Sequence, residues 1–113
     1  HPTFEERHDA FLLEMGQRIT NHYNSPEEAD YRAAVSNRLE WQHQEIMAQI
    51  QVEKAVLDNG GDYPIELERA KEEEIRIHYQ MQINDLKAEH DLREAQWQQQ
   101  EDDWRKKRIK EIE

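Results

Sequence analysis

Apolar residues recur along this chain at spacings of three and four, the period of a helix buried on one side. Phe4, His8, Phe11, Leu12, Met15, Ile19 and Tyr23 share one face and predict a helix over 4–23. Thr3 stands at the N-cap position, and Glu5 and Glu6 fall in the first turn, where the helix dipole favours acids. Gly16 weakens this helix by about 1 kcal/mol relative to Ala, or lets a neighbouring helix approach closely. The polar run Thr20 to Ser25 ends it.

Ser25-Pro26-Glu27-Glu28 is the strongest local signal. Ser25 is placed as an N-cap, Pro26 as the first helical residue and Glu28 as the far half of a capping box. A second helix follows over 26–58. Tyr31, Val35, Leu39, Ile46, Ile50 and Leu57 line one face, with Ala34, Trp41, Ala48 and Ala55 beside it. Together they form an apolar arc broad enough for more than one neighbour. Residues 59–63 are the turn, in which Gly60 and Gly61 can take positive φ, and Pro64 opens the third helix, 64–112.

That third helix contains no Gly, Pro, Ser or Thr after Pro64. At 1.5 Å per residue it would reach roughly 75 Å. It carries two stripes. Ile75, Tyr79, Ile83, Leu86, His90, Trp97 and Trp104 share one side, and Leu67, Ala70, Ile77, Met81, Ala88, Leu92 and Ala95 lie nearly opposite. Residues 75–83 also alternate apolar and polar, a strand pattern, but the flanking Glu, Lys, Arg and Ala favour helix and supply no turn.

The expected fold is all-α: an elongated, coiled-coil-like antiparallel hairpin with an additional N-terminal helix that makes a three-helix bundle section, in one domain over 1–113. Folding back from the turn places Trp41 near Met81 and Pro26 near Gln96. The first helix then reverses again and runs beside the second, level with roughly residues 78–97 of the third. Gln98 to Glu113 then have no partner within the chain, and an isolated helix of that length is marginal in water.

Composition changes this picture little. Of 113 residues 35% are hydrophobic and 36% charged, with net charge −11. Such values lean towards disorder, but a thin core along a rod needs fewer apolar residues than a globule. The acidic balance argues against nucleic acid or anionic membrane as the main partner. No stretch approaches the length of a membrane span. Cysteine is absent, which excludes disulfides and thiol chemistry. The chain lacks an initiating Met and stops within the helical pattern, so a piece of a larger protein is expected, and its compartment is unknown.

Two Glu-x-x-His pairs, Glu5 with His8 and Glu40 with His43, have the spacing that builds metal sites inside helical bundles. Six His among 26 acidic residues produce such spacings by coincidence, and the third helix offers no inward carboxylate pair, so no metal or other cofactor is expected. His90 and Glu94 lie one turn apart; the expectation is a packing histidine rather than a pH-sensitive one. Arg105, Lys106, Lys107, Arg108 and Lys110 form a basic tail suited to an acidic surface. They equally complement the helix C-terminus and can pair with Glu101, Asp102 and Asp103 four residues earlier. There is no phosphate loop, nucleophile elbow or HExxH, and an enzyme is not expected.

The leading functional reading is a non-catalytic helical spacer and docking module. It would contact a protein partner or a second copy through Trp41, Tyr79, Met81, Trp97 and Trp104, since aromatic and Met side chains dominate helix recognition. The alternative is a segment of a secreted toxin. The hairpin over about 26–113 is similar in outline to those of colicin-like bacteriocins, a resemblance that would imply receptor binding or translocation. The third reading is the metal-binding bundle. The leading reading would place the chain in the cytoplasm, the toxin reading outside the cell.

Overall fold

The computed structural model describes all 113 residues. It contains three helices and no strand: α1 (Phe4–Tyr23), α2 (Pro26–Asp58) and α3 (Ile65–Ile112). The one boundary that differs from the pattern is at Pro64. It precedes α3, and its carbonyl accepts from the amides of Leu67 and Glu68. Residues 75–83 are helical throughout. Thr3 caps α1, its hydroxyl accepting from the Glu6 amide at 3.1 Å. Two compact units can be distinguished, one of His1–Tyr31 with Glu89–Glu113, the other Arg32–Ala88.

The Arg32–Ala88 unit is an antiparallel helical hairpin. Its turn is closed by two bonds, from the Gly61 amide to the Val56 carbonyl and from the Gly60 amide to the Leu57 carbonyl. This is a Schellman motif, and Gly60 takes the left-handed conformation it requires, at φ 77°. The expected register holds: Arg38 reaches Gln82, and Glu45 reaches Tyr79. The composition of the seam is the surprise. Gln49 donates to the Tyr63 hydroxyl and to Glu68, Arg38 donates to Gln82, and the Tyr79 hydroxyl donates to Glu45 at 2.6 Å. Tyr79 and the ionisable Glu68 are the buried side chains of this unit. Long polar side chains cover the helix contact with their stems and join through their tips.

In the other unit α1 and the first residues of α2 both lie along the second half of α3. Glu14 meets Arg108, Arg18 meets Glu101, Phe11 meets Trp104 and His22 meets Glu94. Gln98 to Glu113 are therefore not left without a partner, and α1 is level with about 94–108 rather than 78–97. The correction has a local cause. Only Asn24 and Ser25 separate α1 from α2, and neither has the positive φ that turns the chain at Gly60. The joint closes instead with the Asn24 amide on Thr20 and the Ser25 amide on His22. The chain thus keeps its antiparallel course along α3 across the joint. All three helices contribute to this unit.

Candidate functional site: a histidine and glutamate cluster beside the joint

Glu28 sits at the third position of α2. The Ser25 hydroxyl accepts from the Glu28 amide at 3.3 Å, so half of the expected capping box forms. The other half does not, because the Ser25 amide is already bonded to the His22 carbonyl. The Glu28 carboxylate turns inward, and the residue is only 6% exposed. There it meets two imidazoles. His90 Nε2 lies 2.9 and 3.1 Å from its two oxygens, and His22 Nε2 lies 3.6 Å from Oε1. His22 Nε2 is also 2.9 Å from Glu94 Oε2. An ionised carboxylate only accepts, so these contacts place the hydrogen of each ring on Nε2.

Aromatic neighbours fix both rings. Trp97 stacks on His22 with centroids 3.8 Å apart and planes 5° from parallel. Tyr31 stacks on His90 at 3.9 Å and 12°. The Tyr23 hydroxyl donates to Glu94 Oε1 at 2.8 Å, leaving Oε2 turned towards His22. Burial pushes the Glu94 pKa up, but bonds from His22, Tyr23 and Gln98 outweigh it and hold the carboxyl below its ordinary value. The same bond to Glu94 raises the Tyr23 phenol. Ligand atoms of His22, Glu28 and Glu94 all lie within 4.8 Å of one another. This is the one place where three potential metal ligands converge.

The residues singled out in the sequence fall elsewhere. Glu5, His8, Glu40 and His43 are all exposed. His8 stacks on Phe4, and Glu40 accepts from Gln44 one turn along α2. Neither pair joins a three-ligand group. Of the five residues expected to dock a partner, three are engaged inside the chain. Tyr79 is 6% exposed and bound to Glu45. Trp97 stacks on His22, and Trp104 stacks on Phe11 at 5.5 Å with Arg18 4.4 Å from its ring centroid. Trp41 and Met81 remain exposed, at 45% and 63%. Within the basic tail Arg108 bonds Glu14 and Glu111, which raise its pKa, whereas Lys106, Lys107 and Lys110 are exposed. Glu101, expected to pair with Arg105, turns to Arg18.

The sequence carried a weak sign of the cluster. His22 and Glu28 read as helix-end residues, and His90 and Glu94 as a pair one turn apart. Joining the two required the course of α1, which local pattern does not supply. Comparison with protein-family models, curated proteins and solved structures finds no match to this chain.

Proposed function

We propose that this chain is a non-catalytic helical docking module, and that its Arg32–Ala88 hairpin receives a basic amphipathic helix from another protein. The second apolar stripe of α3 carries the reading. The stripe of Ile75, Tyr79, Ile83 and Leu86 is turned into the seam, which it shares with bonded polar side chains, whereas Leu67, Ile77 and Met81 are exposed on the opposite stripe. Fully covering such a side chain contributes about 1.5–3 kcal/mol before the costs of association.

Charge selects the occupant. On a helical wheel Glu66, Glu73, Glu74 and Asp85 flank that stripe, and the whole chain carries net charge −11. A second copy would set acidic rim against acidic rim. A helix whose apolar stripe is bordered by Lys and Arg would meet complementary charge, which favours both encounter and register.

Fluorescence anisotropy with designed amphipathic helices tests this reading. A Leu/Ile-striped peptide with Lys and Arg flanks should bind the chain, and Ile77→Asp/Met81→Asp should abolish binding without loss of helix. Equal binding of a Glu-flanked version, or binding that survives the double substitution, would refute the proposed surface. A concentration-dependent dimer by light scattering that the same double substitution dissolves would show that the occupant is a second copy instead.

A further inference from the structure

We propose that His22, Glu28 and Glu94 form a binding site for a divalent transition-metal cation of the zinc type, with His90 and Tyr23 as positioning residues. The site lies wholly within the unit of His1–Tyr31 and Glu89–Glu113 and is independent of the docking surface.

The ligand types come first. Imidazole nitrogen with carboxylate oxygen suits zinc and its neighbours in the first transition row, whereas calcium and magnesium prefer oxygen alone. Geometry follows. With metal–ligand bonds of about 2.0–2.2 Å, ligand atoms in a tetrahedral site are about 3.4 Å apart. His22 Nε2 stands 2.9 Å from Glu94 Oε2 and 3.6 Å from Glu28 Oε1, values that bracket this separation. The three ligand atoms lie within 4.8 Å of one another, so a cation replacing the hydrogen on His22 Nε2 would draw the Glu28 and Glu94 oxygens together towards that separation. Three protein ligands leave a fourth position for water or an external ligand, as in open zinc sites.

The surrounding residues are arranged as a metal site requires. Trp97 holds the plane of the His22 ring from one face. Tyr23 donates to Glu94 Oε1 and leaves Oε2 as the ligand atom. His90 donates to the Glu28 carboxylate and fixes it in place. Bonds of this kind orient a ligating carboxylate, and losing one weakens metal affinity typically 10–100-fold. Two carboxylates in one cluster favour the approach of a divalent cation.

The location adds meaning. The site takes His22 from the last turn of α1, Glu28 from the first turn of α2 and Glu94 from α3. A bound cation would therefore clamp the two-residue joint onto α3, and the folded chain would gain stability as the metal concentration rises above its dissociation constant.

The test is titration of the metal-free chain with zinc chloride, followed by calorimetry, and with cobalt chloride, followed by visible absorption. One equivalent should bind per chain, and cobalt should give the intense d–d bands of a tetrahedral site while quenching the stacked Trp97. Glu94→Gln and Glu28→Gln should abolish saturable binding, Tyr23→Phe should weaken it 10–100-fold, and His43→Ala should leave it unchanged. Absence of saturable binding, binding unaltered in Glu94→Gln, or binding lost in His43→Ala would each overturn the site. Should the glutamine variants unfold, the intact chain decides: zinc, but not magnesium, should raise its melting temperature, and no zinc-dependent rise refutes the clamp.

Discussion

Arg18 grips Glu101 with two nitrogens, Nη2 at 2.6 Å from Oε1 and Nε at 3.0 and 3.1 Å from the two oxygens. Glu101 is 2% exposed, the most deeply buried side chain described, and it is charged. The Arg18 stem and guanidinium also cover Trp104. Removing one member of such a pair leaves a buried charge unmatched, at a cost of about 3–5 kcal/mol; Arg18 is partly open to water, which lowers this to about 2–3. Arg18→Met is expected to fall in that range. Arg18→Met/Glu101→Leu should recover most of the loss, since an apolar pair of similar volume is often at least as stable. Urea unfolding of the four-membered cycle measures the coupling.

Trp97 and Trp104 support a second prediction. Because both rings pack on α1 residues, their loss should weaken the folded chain rather than its association. Trp104→Ala removes the stack on Phe11, and Trp97→Ala the stack on His22. Each ring is half-buried, so each substitution should cost about 2 kcal/mol, below the usual range for a fully buried tryptophan. The double substitution should lower the urea midpoint and leave the mass from light scattering unchanged. A fall in mass would restore these rings to an interface between copies.

Alkaline titration should find Tyr79, like Tyr23, ionising late. Its hydroxyl donates to the Glu45 carboxylate; that bond and burial raise its pKa above the ordinary 10.0, against a smaller opposing effect of the Arg38 cation. The neutral phenol is therefore favoured by folding. The stabilisation is fully present below the unfolded-chain value near pH 10 and is lost as pH rises through the higher folded value. Wild-type stability should thus fall more steeply above pH 10 than that of Tyr79→Phe, which retains the ring and lacks the proton. Ultraviolet difference absorption should show two of the four tyrosines, Tyr23 and Tyr79, ionising late in the wild type and only Tyr23 doing so in the variant.

The helices were legible because their signals are local. Thr3, Ser25-Pro26 and Gly60-Gly61 punctuate the chain, and the boundaries follow to within a residue. The two stripes of α3 were legible too: residues from Ile75 to Trp104 are turned inwards, and Leu67, Ile77, Met81 and Leu92 outwards. On α2 the pattern held for Tyr31, Val35, Ile46 and Ile50, which are half-buried, and misled elsewhere. Leu39, Trp41 and Leu57 were expected against a neighbour and are exposed, while Arg38, Gln42 and Gln49 occupy the seam. A hydrophobicity pattern ranks Arg and Gln as outward-facing and takes no account of their stems lying along a helix contact while their tips bond across it. The cluster at Glu28 escaped for a related reason. Its spacing from Ser25 fits a cap, and only the three-dimensional course of α1 reveals that His22 and His90 compete for the carboxylate.

The turn offers a final test, in which two adjacent glycines are held for different reasons. Gly60 has φ 77°, where an L side chain is strained although no atom lies within 4 Å of its would-be Cβ. Gly61 has ordinary φ, but a Cβ there would stand 2.8 Å from Val56 Cγ1 and 3.0 Å from the Val56 carbonyl oxygen. Gly60→Ala should therefore cost about 1–2 kcal/mol of backbone strain. Gly60→Asn should recover part of it, since asparagine tolerates the left-handed region better. Gly61→Ala meets a clash instead, and asparagine there should be no better than alanine. Val56→Ala removes Cγ1 but not the carbonyl oxygen, so it should relieve Gly61→Ala only in part and Gly60→Ala not at all. Melting temperatures of these variants separate strain from clash. If asparagine rescued both positions equally, the assignment of left-handed geometry to Gly60 alone would be wrong.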